Sequence, residues 1–497
     1  MNKLLLKFHK CKIFNIKKIS NFVFLLIITF ILSRFLYYVA GIRFEVMMSA
    51  WQFFPIQFYE SDLLSSIYYS IYQPPLLNLL IGIGIKLGQL SIFLHMIYLF
   101  LGLIAFINFY KILNCFLSQK NSFLISAILM VMPLTILWEN HGYKDYLTMC
   151  LFINIFYYSL LVINKDSYKN YFFLGINLIL IGLLRETFHY FWLLFLLIFI
   201  FYCNKNLKKT FFLFLITSFF VLPFYLKNYL VFGKFQIAGL MYENLTQKTL
   251  YTQQMKNGEH RLLKKIIFKN EENFIKFFAN LSDINETLFE SPAKYKEVLN
   301  YKNKHTHPLL HSQTFHHEIF LEVDEIRKRD LFLYAKEYPS VFVFSFLNAF
   351  SRHFFNSSEN FLFLENNAKK IPTLIRFSHC IKLTLLCFSE DNNYSRKNYS
   401  QFSYKEKIYF SLQQINFLVL IIYSFMFYHF VKFILIKKEK NRHEKTFIFF
   451  SLNVLFMLFI LLVFEETELP RHRFPFEYLI FLFSLYYYKK NKKKIFK

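Results

Sequence analysis

The chain is poor in the residues that punctuate soluble folds. Gly and Pro supply 11 residues each out of 497, well under the roughly 12% the two share in average usage. Collagen-like, linker-rich and low-complexity architectures are thereby excluded. Acidic residues are also scarce, with 32 Asp and Glu against 58 Lys and Arg, a formal net charge of +26. The six Cys (Cys11, Cys115, Cys150, Cys203, Cys380, Cys387) form no CxxC, and only Cys380 and Cys387 fall where an external disulfide could form, though nothing requires one. No Walker loop, GxGxxG, nucleophile elbow or HExxH is present, so the commonest phosphate-loop, dinucleotide, serine-hydrolase and zincin chemistries have no signature here.

What is abundant is apolar surface. Hydrophobic residues make up 55% of the chain and aromatics 21%, with 69 Phe and 34 Tyr, and the mean hydropathy is +0.32. This exceeds what soluble cores hide and excludes disorder. The expected fold class is an all-α polytopic membrane protein. The basic residues lie mostly in short clusters between apolar runs, which is a membrane-topology pattern and not a nucleic-acid footprint. No nucleic-acid partner is expected. The joint excess of Phe, Lys, Asn, Ile and Tyr also fits an AT-rich genome, so charge by itself names no partner.

Apolar runs at about 22–40, 92–112, 122–138, 145–163, 171–184, 189–203, 209–226, 412–436, 446–464 and 476–488 approach the length needed to cross roughly 30 Å of hydrocarbon. They predict about ten spans. The first follows Lys3, Lys7, Lys10, Lys12, Lys17 and Lys18 with no convincing cleavage site, and reads as an uncleaved span with the N-terminus inside. Alternation then puts the Lys-rich loops and the 489–497 tail inside, leaving Arg43, Lys144, Arg185, Arg471 and Arg473 as the basic residues of the short outer loops. Both termini are expected in the cytoplasm. The run 76–87 is short, contains Lys86 and follows Gln73-Pro74-Pro75. It is predicted as a juxtamembrane helix with proline in its first turn. The chain thus divides into an N-terminal membrane module, 1–226, with a first outer loop at 41–91, an outer-face region at 227–411 expected to be mostly helical, and C-terminal membrane helices at 412–497. Within 227–411, the stretches 341–355 and 371–388 are apolar but interrupted by Arg352, Arg376 and Lys382, suiting helices at the membrane surface; two crossings would leave the later sidedness unchanged.

The segments that combine carboxylates, Arg, His, Asn and aromatics all fall on the predicted outer side. A catalytic or binding surface there accounts for that grouping. Glu45, in Gly41-Ile42-Arg43-Phe44-Glu45, is a candidate general base, with Glu60 and Asp62 further along the same loop. Its alternative is an ion pair with Arg43 or Arg34. Glu139, Asn140, Tyr143 and Asp145 occupy the next outer loop, where the two carboxylates could serve a metal or an acceptor group. Asp145 also suits a helix N-terminus. Arg185, Glu186 and His189 crowd a connection of a few residues, which is costly beside a membrane if it serves nothing. Arg471, His472 and Arg473 stand between Pro470 and Pro475 as a clamp for phosphate oxygens, unless they pair with Glu465, Glu466 and Glu468. Five of the 15 His, at 305, 307, 311, 316 and 317, invite a zinc reading, but their spacing matches no closed structural motif. The N-x-S/T tripeptides at Asn244, Asn285, Asn356, Asn393 and Asn398 arise readily by chance in an Asn-rich chain.

In order and sidedness these residues resemble the GT-C superfamily of polytopic glycosyltransferases that use lipid-linked sugars, such as protein O-mannosyltransferases and bacterial aminoarabinose-lipid A transferases. Ile42-Arg43-Phe44-Glu45 sits where that family carries an acidic residue, Tyr72-Gln73-Pro74-Pro75-Leu76 resembles its QPP segment, and Glu139-Asn140 with Tyr143 occupies its next polar loop. Arg185 to His189 resembles the short Arg/His loop of bacterial members. Pro223 to Gly233, with Lys227-Asn228, resembles their span exit, and Arg471-His472-Arg473-Phe474-Pro475 their late R-x-R-x-P. The resemblance covers roughly 20–240 and 445–490, and only the set of motifs is specific.

It implies inverting transfer from a polyprenyl-phosphate sugar donor to a lipid, glycan or protein acceptor at the outer face of a bacterial inner membrane. Glu45 would be the base, Arg471 and Arg473 the phosphate ligands, and Arg185 and Lys227 secondary donors. Gln73, Glu139, Asn140, Tyr143, Asp145, His189 and His472 would complete the site. The family usually has Asp where Glu45 stands, so Glu60 and Asp62 remain alternatives for the base. No cofactor is demanded, and a divalent metal is left open. The other classes to weigh are a flippase for lipid-linked saccharides, which calls for midplane charges and broken helices, and a non-catalytic assembly subunit. Against the flippase, Arg34 reads as the one strong charge within a span, toward its outer end, and no broken helix is expected.

Overall fold

The structure, a computed structural model, describes residues 21–46, 53, 56–61, 63–68, 70, 73–164, 166–237, 306–307, 312–313, 417–436, 442–464 and 469–495, with scattered positions between 328 and 374. Among the described residues the regular structure is helical except for one pairing of two-residue strands, β1 (Thr306–His307) with β2 (Ser312–Gln313). The helices are α1 (Asn21–Val39), α2 (Ile56–Ser61), α3 (Leu63–Tyr68), α4 (Pro75–Lys86), α5 (Leu90–Asn114), α6 (Gln119–Val131), α7 (Pro133–Glu139), α8 (Lys144–Asn164), α9 (Tyr168–Leu184), α10 (Tyr190–Asn204), α11 (Leu207–Phe232), α12 (Phe417–Ile436), α13 (Arg442–Phe464) and α14 (Leu469–Ile495).

Among the described residues four helices, α1, α5, α8 and α11, are long and apolar enough to cross a membrane, and the bent pair α6–α7 makes a fifth if taken as one span. The chain is therefore read as an integral membrane protein. α9 and α10 are apolar but have only 17 and 15 residues, short of the roughly 20 that a full crossing takes. Apolar side chains face outward along the bundle, among them Ile31 and Phe35 of α1, Phe100 of α5, Ile198 of α10, Phe219 of α11 and Phe427 of α12. Such a surface is costly in water and suits lipid.

α8 is the axis. Almost every residue of it is buried, and it packs against α5, α9, α10, α13 and α14. Its amide at mid-length, Asn154, is satisfied by Asn108 Nδ2 of α5 at 2.9 Å, as a buried polar group requires. Aromatic rings fill the seams: Phe156 meets Phe450 of α13 edge-on at 4.5 Å, and Phe447 stacks on Tyr486 of α14 at 3.8 Å.

The predicted run 122–138 is not one straight helix. Pro133 cannot donate to the ladder, and α6 and α7 meet at 58°. The carbonyls freed by the break are each taken up by another side chain. Thr135 Oγ1 donates to Leu129 O at 2.8 Å, Arg34 Nη1 to Met130 O at 3.2 Å and Tyr37 Oη to Val131 O at 3.0 Å. Tyr478 of α14 bonds to Thr135 as well. The break is thus a built joint of α1, α6, α7 and α14.

The expected proline-led helix is α4, with Pro75 in its first turn. It is tucked against α2, α3, α5 and α9, burying Leu77, Asn78, Ile81, Gly82 and Gly84. α11 ends at Gly233, whose φ of +72° is left-handed and free of strain only for glycine. In the region 227–411, most of the stretches 341–355 and 371–388 lie outside the described residues.

Candidate functional site

The loop after α1 and the loop between α7 and α8 are joined as a short parallel bridge. Glu45 N donates to Asn140 O at 2.9 Å, and Gly142 N donates to Glu45 O at 2.8 Å. A Cβ at Gly142 would stand 2.9 Å from Val46 Cγ2 and 3.1 Å from Glu45 O, so only glycine lets the two backbones approach this closely. Beneath the bridge, Phe44 stacks on His95 at 5.0 Å and meets Tyr98 edge-on at 5.1 Å. Tyr98 Oη in turn donates to Tyr143 O at 2.7 Å. Tyr143 itself is buried between Phe53 and His141.

Around this bridge stand three acids, each neutralised. Glu139 is fully buried and takes two hydrogen bonds from Arg34, Nε at 2.9 Å and Nη2 at 2.6 Å, and a third from Tyr146 Oη at 2.5 Å. Asp145, in the first turn of α8, pairs with Arg185 at 2.9 Å, both buried. Glu186 accepts from Lys144 Nζ at 3.0 Å, and the same ammonium reaches Gln73 Oε1 at 3.3 Å. Burial works to raise the Glu186 carboxyl, but the charges of Lys144 and Arg185 outweigh it and hold it at about 2.

Glu45 differs from these. Its carboxylate is partly exposed, and among the described residues it forms no ion pair. Arg34, one of the two partners weighed for it, is taken by Glu139. Arg43, the other, donates to Tyr38 O at 2.5 Å and lies over the Tyr38 ring at 3.7 Å. The side chain that does reach Glu45 is Asn366, whose Nδ2 lies 3.4 Å from Oε2.

The remaining sequence candidates are distributed around the same end of the bundle. Asn140 Nδ2 closes back on Ile136 O. His189 caps α10 by accepting from Phe191 N at 3.4 Å, packs edge-on against Tyr225 at 4.8 Å, and burial holds its pKa below the ordinary imidazole range. Lys227 Nζ donates to Ser70 O at 2.7 Å. Glu60 is exposed on α2, and Asp62 lies outside the described residues. Arg471, His472 and Arg473 fall in the opening turns of α14, their side chains outside what is described. The residue after them, Phe474, is buried and stacked on Trp138 of α7 at 5.4 Å. The expectation that Arg34 is the one strong charge within a span is corrected by Glu477, which lies inside the run 476–488 and is buried in α14. Among the described residues no three His, Cys, Asp or Glu converge as a metal site. His307 sits in β1, while His305, His311, His316 and His317 lie outside the described residues.

The opposite end of the bundle is different in kind. There Asp166 is held by Lys209 at 2.9 Å and by Asn206, and α10 and α11 are joined through Lys205 and Asn206, with Lys208 in the first turn of α11. Glu139, Asp145 and Glu186 thus stand at one end, and the cluster of Lys205, Lys208 and Lys209 at the other.

Compared with family models, with curated proteins and with solved structures, the chain matches none.

Proposed function

We propose that this chain is an integral membrane glycosyltransferase that moves a sugar from a polyprenyl-phosphate donor to an acceptor hydroxyl at the end of the bundle where Glu45 lies. The observation that carries the reading is the contrast among the acids there. Glu139, Asp145 and Glu186 are neutralised by Arg34, Arg185 and Lys144, whereas the Glu45 carboxylate stands partly open and without an ion pair among the described residues. A carboxylate that no cation neutralises, on a rigid backbone, is what general-base chemistry needs. In the proposed step the acceptor oxygen forms a bond to the anomeric carbon, the bond from that carbon to the phosphate oxygen breaks, the hydroxyl proton passes to Glu45, and polyprenyl phosphate leaves. Because Arg185 is committed to Asp145 and Lys227 to the Ser70 carbonyl, the departing phosphate falls to Arg471 and Arg473, guanidinium groups suited to its oxygens. Gln73, held by Lys144, fixes the turn that enters α4.

The sidedness belongs to the same proposal: the acid-bearing end faces outward from a bacterial inner membrane and the lysine-bearing end faces the cytoplasm, as the basic bias of the loops predicts. The test is release of polyprenyl phosphate by the purified protein in nanodiscs, from a panel of polyprenyl-phosphate sugars, for wild type and Glu45→Gln.

The second reading, a flippase for a lipid-linked saccharide, is favoured by the α6–α7 break at Pro133 and the buried Arg34–Glu139 pair beside it, features of the kind that transporters place in their pathways. Transport of lipid-linked sugar across vesicles without release of lipid phosphate would select it.

A further inference from the structure

Within the region between 227 and 411, the segment 366–371 reaches the loop that carries Glu45. Asn367, buried at 5% exposure, makes a two-point contact with the main chain of Arg43: its Oδ1 accepts from Arg43 N at 3.0 Å and its Nδ2 donates to Arg43 O at 2.7 Å. An amide side chain used in this way imitates a neighbouring strand. It holds the main chain at Arg43, two residues before Glu45. Asn366 adds its contact to Glu45 Oε2 at 3.4 Å. The segment is itself anchored. Lys370 N closes a turn onto Asn367 O at 3.1 Å, and Ile371 is buried in the apolar core. The loop that carries Glu45 is therefore held at two points, by the 140–142 loop at Glu45 and by Asn367 at Arg43.

We infer that Asn367 is a positioning residue for Glu45, and that through it the 227–411 region sets the placement of the carboxylate. The inference rests on the reading of Glu45 as the base. A carboxylate on a loop needs its backbone fixed to within a fraction of an ångström for proton transfer, and the Asn367 clasp supplies the restraint that the Asn140–Gly142 bridge does not. Asn366 adds a donor that orients the acid without neutralising it.

The experiment uses the full chain in nanodiscs, as wild type, Asn367→Ala, Asn367→Asp and Asn366→Ala. Two readouts are taken: amide hydrogen exchange of the segment 41–46, and kcat and KM for release of polyprenyl phosphate. Asn367→Ala is expected to speed exchange at Arg43 about tenfold while Glu45 N, held by Asn140 O, stays protected. The same variant is expected to lower kcat about tenfold with KM for the donor unchanged. Asn367→Asp keeps the acceptor for Arg43 N and loses the donor to Arg43 O, so it should fall between wild type and alanine. Asn366→Ala should leave exchange at Arg43 unchanged and lower kcat by less than Asn367→Ala does. Unchanged exchange at Arg43 in Asn367→Ala would overturn the clasp, and faster exchange with unchanged kcat would overturn its positioning role. If wild type releases no lipid phosphate from any donor, the glycosyltransferase reading fails and the positioning role with it, while exchange at Arg43 still reports whether the clasp forms.

Discussion

Replacing Glu139 by Gln tests the ion pair that joins α1 to α7. The carboxylate is fully buried and Arg34 is 11% exposed, so the guanidinium cannot recover the lost charge by turning to water. The neutral amide of Glu139→Gln would present a single acceptor oxygen where the carboxylate accepts three hydrogen bonds from two partners. An uncompensated buried charge costs about 3 to 5 kcal/mol, and an amide that still accepts one bond from Arg34 places the expected loss near the low end, about 3 kcal/mol. Replacing both members, Arg34→Met with Glu139→Leu, removes the charges together and should return the protein to within about 1 kcal/mol of wild type, less whatever Arg34 contributes to capping Met130 O. The assay is reversible unfolding in mixed detergent micelles, read by intrinsic fluorescence, for Glu139→Gln and for Arg34→Met, Glu139→Leu and their double in one cycle. A loss below about 0.5 kcal/mol for Glu139→Gln, or a double variant that costs as much as the sum of the singles, would refute a buried, mutually dependent pair.

Gly142→Ala pushes a methyl against Glu45 O and Val46; it should cost about 1 to 3 kcal/mol and speed amide exchange at both Glu45 and Gly142. Glu186 is held at about 2 against an ordinary 4.5. A depressed carboxyl adds stability that is complete above its unfolded pKa and is lost as pH falls through the folded one. Wild type should therefore lose stability progressively between about pH 4.5 and pH 2, and Lys144→Met should flatten that slope in thermal unfolding across the same window. Tyr478→Phe removes the hydroxyl that helps close the break at Pro133; a loss of about 1 to 2 kcal/mol is expected, with no change in helix content by circular dichroism.

Much of the scaffold is written locally and is readable from the residues. The apolar runs fix α1, α5 and α8 to within two residues, because burial in lipid selects helix wherever enough apolar residues follow one another, whereas α11 continues to Phe232, past the expected end at 226. Pro74-Pro75 marks the start of α4 because proline costs nothing at a first turn. The break at Pro133 also has its signal, a proline well inside the run 122–138, but length and hydropathy are blind to the backbone bond that proline removes. Partner choice is another matter. Arg34 and Glu139 are 105 positions apart, and nothing local to either says that they meet. The same holds for Asp145 with Arg185 and for Lys144 with Glu186. Ion pairs join the 139–145 and 185–189 segments, but which acids are neutralised and which left open depends on helix packing. Asn366 and Asn367 give no signal at all in an Asn-rich chain, since a clasp on main-chain atoms leaves no trace in the residues it holds.

The central claim is that Glu45 acts as a base toward a sugar acceptor. The direct test is polyprenyl phosphate release by the purified protein in nanodiscs, wild type against Glu45→Gln, with Glu60→Gln and an EDTA arm alongside. Wild-type release that falls about 100-fold or more in Glu45→Gln and is unaffected in Glu60→Gln is the predicted result. Undiminished release by Glu45→Gln would contradict it, as would the absence of release from every donor while vesicles move lipid-linked sugar across the bilayer.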